Sequence, residues 1–222
     1  MRTIAVIALK GGSGKTTLAI HVALAAHLRG LKTLVADVDP QRSATEVLSA
    51  RTSGGPGCVD ISGRDLFPTQ IAAVGAGIEL MVIDTAAGAV EDVGQSIVLA
   101  DLSLLVVRPT LLDIAAAVRT VNVVRRLRKD AVFVVNQAAV AREGVEPPMV
   151  KRAMRALESM PLPVVPTLLR SRTVYQTAPE TGRSAEESYD EAAAKEVADL
   201  WAYVEQRAFA QRDDPPRAAI ER

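Results

Sequence analysis

The chain has 222 residues, 49% of them apolar, which is enough to bury a sizeable core within one α/β domain. Its 26 basic and 26 acidic side chains cancel, so global charge selects neither nucleic acid nor membrane as a partner, and any basic surface must be local. The single cysteine, Cys58, excludes an internal disulfide, and no apolar run reads as a signal peptide or reaches the roughly 20 residues of a membrane span, so a cytoplasmic protein is expected. In chain order, residues 3–9 read as a buried strand, followed by a glycine-rich loop and a helix over 16–29. A second strand covers 32–37, with a helix beginning near Gln41. The Gly-, Ser- and Pro-rich stretch 51–63 reads as a loop. Four further strands are expected over 78–84, 102–107, 131–135 and 164–166, with helices over 111–129 and 148–160 among them. A long terminal helix is expected over 185–209, then a disordered tail over 211–222. Such β-α alternation, with aliphatic strands and Ala-rich helices, predicts one domain over 1–210: a doubly wound, mostly parallel sheet covered by helices on both faces.

Ligands of such sheets bind at the carboxyl ends of the strands, and three groups of residues fall there. The first is Lys10-Gly11-Gly12-Ser13-Gly14-Lys15-Thr16-Thr17, which follows a strand and opens a helix. Glycines let backbone N–H groups converge on phosphate oxygens, and the helix N-terminus adds partial positive charge. In that setting Lys15 reaches the β- and γ-phosphates, and the Thr16 hydroxyl is a ligand for Mg2+. The second is Asp37-Val38-Asp39-Pro40-Gln41, where period-two alternation sends Asp37 and Asp39 to the same side of an extended chain. The third is Asp84, at the end of the strand over 78–84, an acid suited to hold Mg2+ through its water shell. Helix capping competes for Asp39, because Pro40 fits a first helical position.

With Lys10 in front, KGGSGKTT resembles the deviant Walker A box of the ParA/MinD superfamily of ATPases, and Asp37 to Gln41 resembles the DxDPQ box of its ParA branch. The resemblance extends to about Phe209 and is greatest to the small ParA type without an N-terminal DNA-binding domain. It implies an ATP-sandwich homodimer in which Lys10 contacts phosphate in the opposite subunit, Asp39 orients the attacking water, and Asp37 supports the loop and the Mg2+ shell. It also implies that Asn136 contacts adenine. The segment 166–179, with Arg170 and Arg172, is similar to a ParA stretch carrying a non-specific DNA-binding surface. Slow hydrolysis stimulated by a ParB-like or other cargo adaptor completes what the resemblance implies.

Two departures stand out: Thr85-Ala86-Ala87-Gly88 replaces the family's usual Thr-Pro-Pro, and Arg108, before Pro109, Thr110 and Asp113, is atypical. Between Ala139 and Arg183 seven basic residues face four acidic ones, a local excess of 7 − 4 = +3. A second basic group on the helix over 111–129 reads as a solvated outer face. The stripe Leu200, Trp201, Val204, Ala208 reads as a face packed on the domain and not a membrane anchor. Partners of a different kind, such as a protein cargo carried over DNA or a small acid substrate for an ATP-dependent ligase, are also compatible with these boxes.

Overall fold

The structure, a computed structural model, describes residues 1–88 and 90–209. Six strands form one sheet: β1 (Arg2–Ile7), β2 (Thr33–Asp37), β3 (Gly57–Asp60), β4 (Leu80–Asp84), β5 (Leu102–Val107) and β6 (Ala131–Val135). All neighbours are parallel, in the order β3-β2-β4-β1-β5-β6. Parallel pairing requires crossovers, supplied by α1 (Lys15–Leu28), α2 (Ser43–Ser49), α3 (Leu66–Gly75), α4 (Val90–Leu99) and α5 (Leu111–Arg126). After β6 come α6 (Pro148–Glu158), the single turn α7 (Val174–Thr177) and α8 (Glu191–Phe209). One core joins the sheet to α1, α2 and α8; a second joins its other face to α3, α4, α5 and α6. The result is the three-layer doubly wound fold that the alternation predicts.

α1 is buried almost all round, from Leu18 to Ala26, because it lies between the sheet and α8. It stops where Gly30 adopts a left-handed φ of 87° and Leu31 N–H donates back to the Ala26 carbonyl. In α8, Leu200, Trp201, Val204 and Ala208 are all buried in the core, as the stripe predicts. No helix among the described residues is long and apolar enough to cross a membrane.

Three expectations are corrected. The stretch 51–63 is not all loop, since residues 57–60 form edge strand β3, in register with residues 34–37 of β2. Its half-exposed residues and flanking glycines hide the strand pattern. Conversely, 164–166 is not a full strand. Phe133 N–H donates to the Pro163 carbonyl and Val165 N–H donates to the Phe133 carbonyl, but Pro163, which faces β6, has no N–H to extend the ladder towards Ala131. The terminal helix begins at Glu191, and residues 185–187 form a separate 3₁₀ turn closed by a capping box from Ser184 to Glu187. The tail over 211–222 lies outside the described residues.

His21 is buried on α1, its Nδ1 2.7 Å from the Thr17 carbonyl and its ring edge-on to Tyr175. Burial pushes its pKa down to about 4, and the Thr17 carbonyl opposes this. The folded state therefore holds the neutral ring, and the unfolded chain takes up a proton first as pH falls below about 6.5. Stability carried by this ring is complete above that value and is lost as pH falls towards about 4. Urea unfolding of the parent and of His21→Leu should show the parent losing roughly 2 kcal/mol more between about pH 7.5 and pH 5. Parallel pH dependences would refute this.

Candidate active site at the carboxyl edge of the sheet

The site lies where β1, β2 and β4 end side by side. Register pairs Asp37 with Asp84, and Asp84 with Val6 of β1, so both carboxylates stand beside the strand that leads into the loop. The loop needs its glycines. Gly12 and Gly14 have φ of 73° and 89°, and a Cβ on Gly14 would lie 2.2 Å from the Asn136 amide nitrogen. Among the described residues the N–H groups of Gly11 to Gly14 meet no acceptor, and the loop opens directly into the N-terminus of α1 at Lys15. Exposed glycines, unclaimed N–H donors and a helix N-terminus form an anion cradle.

Lys15 is buried at the foot of this cradle. Burial pushes its pKa down, and the carboxylates of Asp84 and Asp39 oppose the shift. Asp84 is fully buried, and neither carboxylate oxygen has a well-formed hydrogen bond among the described residues. Burial raises its pKa to about 7, against the nearby Thr16 hydroxyl, which pulls it down without the geometry of a full bond. An orphaned carboxylate beside a hydroxyl and an anion cradle is the oxygen donor set that Mg2+ takes when it shares its shell with phosphates and water. Among the described residues no cluster of three His, Cys, Asp or Glu could hold a metal by itself.

The other predicted residues are placed as follows. Asp37 is buried, accepting from Asp39 N–H at 3.2 Å and from the Thr45 N–H and hydroxyl at 2.9 and 3.0 Å. It thus ties the turn after β2 to the first residues of α2. Asp39 is half-exposed and accepts from Gln41 N–H at 2.9 Å through Oδ1 alone. It does not cap α2, whose N-cap is Arg42 with a left-handed φ of 56°. A cavity of about 400 Å³ opens beside Asp39, walled by Arg42, Asp60, Ser62, Thr85 and Ala86. Asn136 donates to the Ser13 carbonyl at 2.8 Å and accepts from Gln137 N–H at 2.9 Å, so it braces the phosphate loop. Thr17 opens α1 with its carbonyl on His21.

Lys10 points to Asp113, whose Oδ2 it meets at 2.8 Å. Arg170 forms a forked pair with Glu146, and Arg172 meets Glu196 at 2.8 Å, with Tyr175 and the Arg170 backbone N–H on the same carboxylate. Neither arginine is a free cation. Reading the sequence misses Asp113 as a partner of Lys10, Thr45 as a partner of Asp37, and Gln137, which reaches the Gly12 carbonyl at 3.3 Å. Only the Thr110-to-Asp113 spacing, a helix-capping pattern, offers any signal.

Fold and loop together define a P-loop nucleotide-binding protein. The chain belongs to the CobQ/CobB/MinD/ParA nucleotide-binding domain family, which it matches over residues 4–185. It is 37% identical to the chromosome-partitioning ATPase Soj of Thermus thermophilus over 113 residues, 46% of this chain and 45% of that protein. The match therefore spans less than half of Soj. It is 28% identical over 187 residues to the maintenance of carboxysome distribution protein A of Halothiobacillus neapolitanus, covering 82% of this chain and 85% of that protein. The structure of the septum site-determining protein MinD of Pyrococcus horikoshii with Mg-ADP superposes with a TM-score of 0.73 at 19% identity, over 96% of this chain and 99% of that one, a likeness of fold.

Proposed function

We propose that this protein is an Mg2+-dependent ATPase that dimerises around ATP and positions DNA, or a cargo carried over DNA. The observation that carries this reading is the convergence of Lys15, Asp39 and Asp84 on one glycine cradle, with Lys10 leading into it and paired with Asp113. Lys15 and the loop N–H groups bind the phosphates and neutralise charge that grows on the transferred group. Asp39 keeps one carboxylate oxygen free to orient a water for in-line attack, and the cavity beside it gives that water room. Thr16 and Asp84 would hold Mg2+, which would supply positive charge to offset that of the phosphates. Lys10 extends this cationic set to the nucleotide of a second subunit. A partner protein accelerating a slow intrinsic turnover completes the cycle.

The DNA contact rests on the excess of +3 between Ala139 and Arg183. Arg170 and Arg172 would have to leave carboxylates to meet phosphates, which offsets much of the gain. We assign the leading contacts to the exposed Arg142, Lys151, Arg152, Arg155 and Arg183, none of which forms an ion pair among the described residues. Arg170, bonded to the Ala139 carbonyl and to Glu146, braces the loop that carries Arg142. Neutralising four or five phosphates predicts that the logarithm of affinity falls with the logarithm of salt at a slope of roughly −3 to −5. A salt titration with duplex DNA, with and without ATP, paired with phosphate release, tests the reading. Retention of DNA that ignores both salt and ATP would remove the DNA part; absence of phosphate release with Mg-ATP, DNA and partner would remove the ATPase.

A second reading, a positioning ATPase whose cargo is a protein assembly, draws support from the near full-length similarity to the carboxysome distribution protein. The chemistry at the loop is the same in both; the adaptor that stimulates turnover separates them.

A further inference from the structure

Arg108, the residue that departs from the family pattern, follows β5 and turns back over the phosphate loop. Its Nη1 lies 3.7 Å from where a Cβ on Gly12 would sit. Its Nε donates to Asp113 Oδ1 at 2.9 Å, and its Nη2 to Oδ2 at 3.3 Å. The same Oδ2 accepts from Lys10 at 2.8 Å and from the Thr110 hydroxyl. One carboxylate, 2% exposed, thus holds two cations from two different segments, Lys10 from the loop and Arg108 from the end of β5. Against burial, which would raise it, the bonds from Arg108, Lys10 and Thr110 hold the Asp113 pKa down at about 2.

This arrangement bears on how Lys10 reaches a second subunit. To meet another subunit's phosphates the lysine must leave Asp113. Removing one partner from a buried pair is strongly unfavourable, because the remaining charge is left uncompensated. A guanidinium changes that balance: its planar fork matches both oxygens of a carboxylate. The longer Nη2 contact is the one made to the oxygen that Lys10 and Thr110 already share. We propose that Arg108 is a positioning residue for Lys10, closing onto both oxygens of Asp113 when the lysine transfers to the partner subunit's nucleotide. Until then the Lys10–Asp113 pair holds the lysine away from the loop of its own subunit. The proposal rests on the reading that Lys10 acts across a dimer.

The test uses the full chain with a non-hydrolysable ATP analogue. Sedimentation equilibrium gives the dimer dissociation constant, and a fluorescent ATP analogue gives nucleotide affinity in dilute subunits. Arg108→Gln should raise the dimer constant on the order of tenfold, the scale of one charge-assisted hydrogen bond, and change dilute-subunit affinity by less than about twofold. Arg108→Lys should recover part of the loss. The substitution should have no further effect once Asp113→Asn has removed the charge, nor in Lys10→Ala, where no lysine has to be released. A loss in Arg108→Gln that persists in both backgrounds, or that appears as weaker nucleotide binding by the dilute subunit, would make Arg108 a direct phosphate ligand and overturn the proposal. An unchanged dimer constant would overturn it as well. If the parent chain stays monomeric with the analogue, the cross-dimer reading of Lys10 fails first and the proposal falls with it.

Discussion

Lys15→Ala is expected to abolish ATP binding and, with it, every nucleotide-dependent property. Lys15 is buried at the foot of the cradle, where its charge meets phosphate with little water between. At an effective dielectric near 20 and contact distance, one such pair is worth roughly 3–5 kcal/mol, or roughly a thousandfold in affinity. The truncation also removes the cation that opposes the raised pKa of Asp84, so the buried acid is left more strongly protonated and less able to share a metal. Titration with a fluorescent ATP analogue reads the loss directly, and a thermal melt without nucleotide checks that the fold survives. Near-parental affinity in a folded variant would displace Lys15 from the role.

The second large effect is at Asp39. Asp39→Ala should lower ATP turnover by roughly 10²–10⁴-fold, the range for losing a group that handles the attacking water, and leave ATP affinity nearly unchanged. ATP-bound dimers should then accumulate. Because Asp39 also caps its turn through Gln41 N–H, the alanine variant alone does not separate catalysis from local structure. Asp39→Asn does, since an asparagine side chain accepts the same hydrogen bond. If the residue only shapes the turn, the Asp39→Asn variant recovers turnover; if it orients water, both variants are equally slow. Phosphate release by all three proteins, measured beside their sedimentation with ATP, distinguishes the outcomes.

Lys15 and Asp39 are legible in the sequence because their signals are local. A glycine loop between a strand and a helix, and two acids two residues apart at a strand end, impose their geometry within a dozen positions. β1, β2, β4, β5 and β6 are legible for the same reason: each is a continuous aliphatic run, mostly or wholly buried. β3 is not, because an edge strand of four residues is only half-covered and draws its identity from β2 alongside it. The extended stretch at Val164 misleads in the opposite direction, since its apolar run lies along β6 but Pro163 lacks the N–H that would extend the ladder.

Spacing within single segments was therefore enough to set the alternation of elements, the phosphate cradle and the identity of the acids at the strand ends. Which charges meet was settled elsewhere, by the packing of distant segments. Lys10 and Asp113 are 103 positions apart and touch because β1 and β5 are adjacent in the sheet. Arg170 and Arg172 are tied to Glu146 and Glu196 by loops and a helix packed around β6. A charge carries no mark in the sequence of the partner it will find, because Coulombic pairing depends on distance in space and on burial, and the packed sheet sets both.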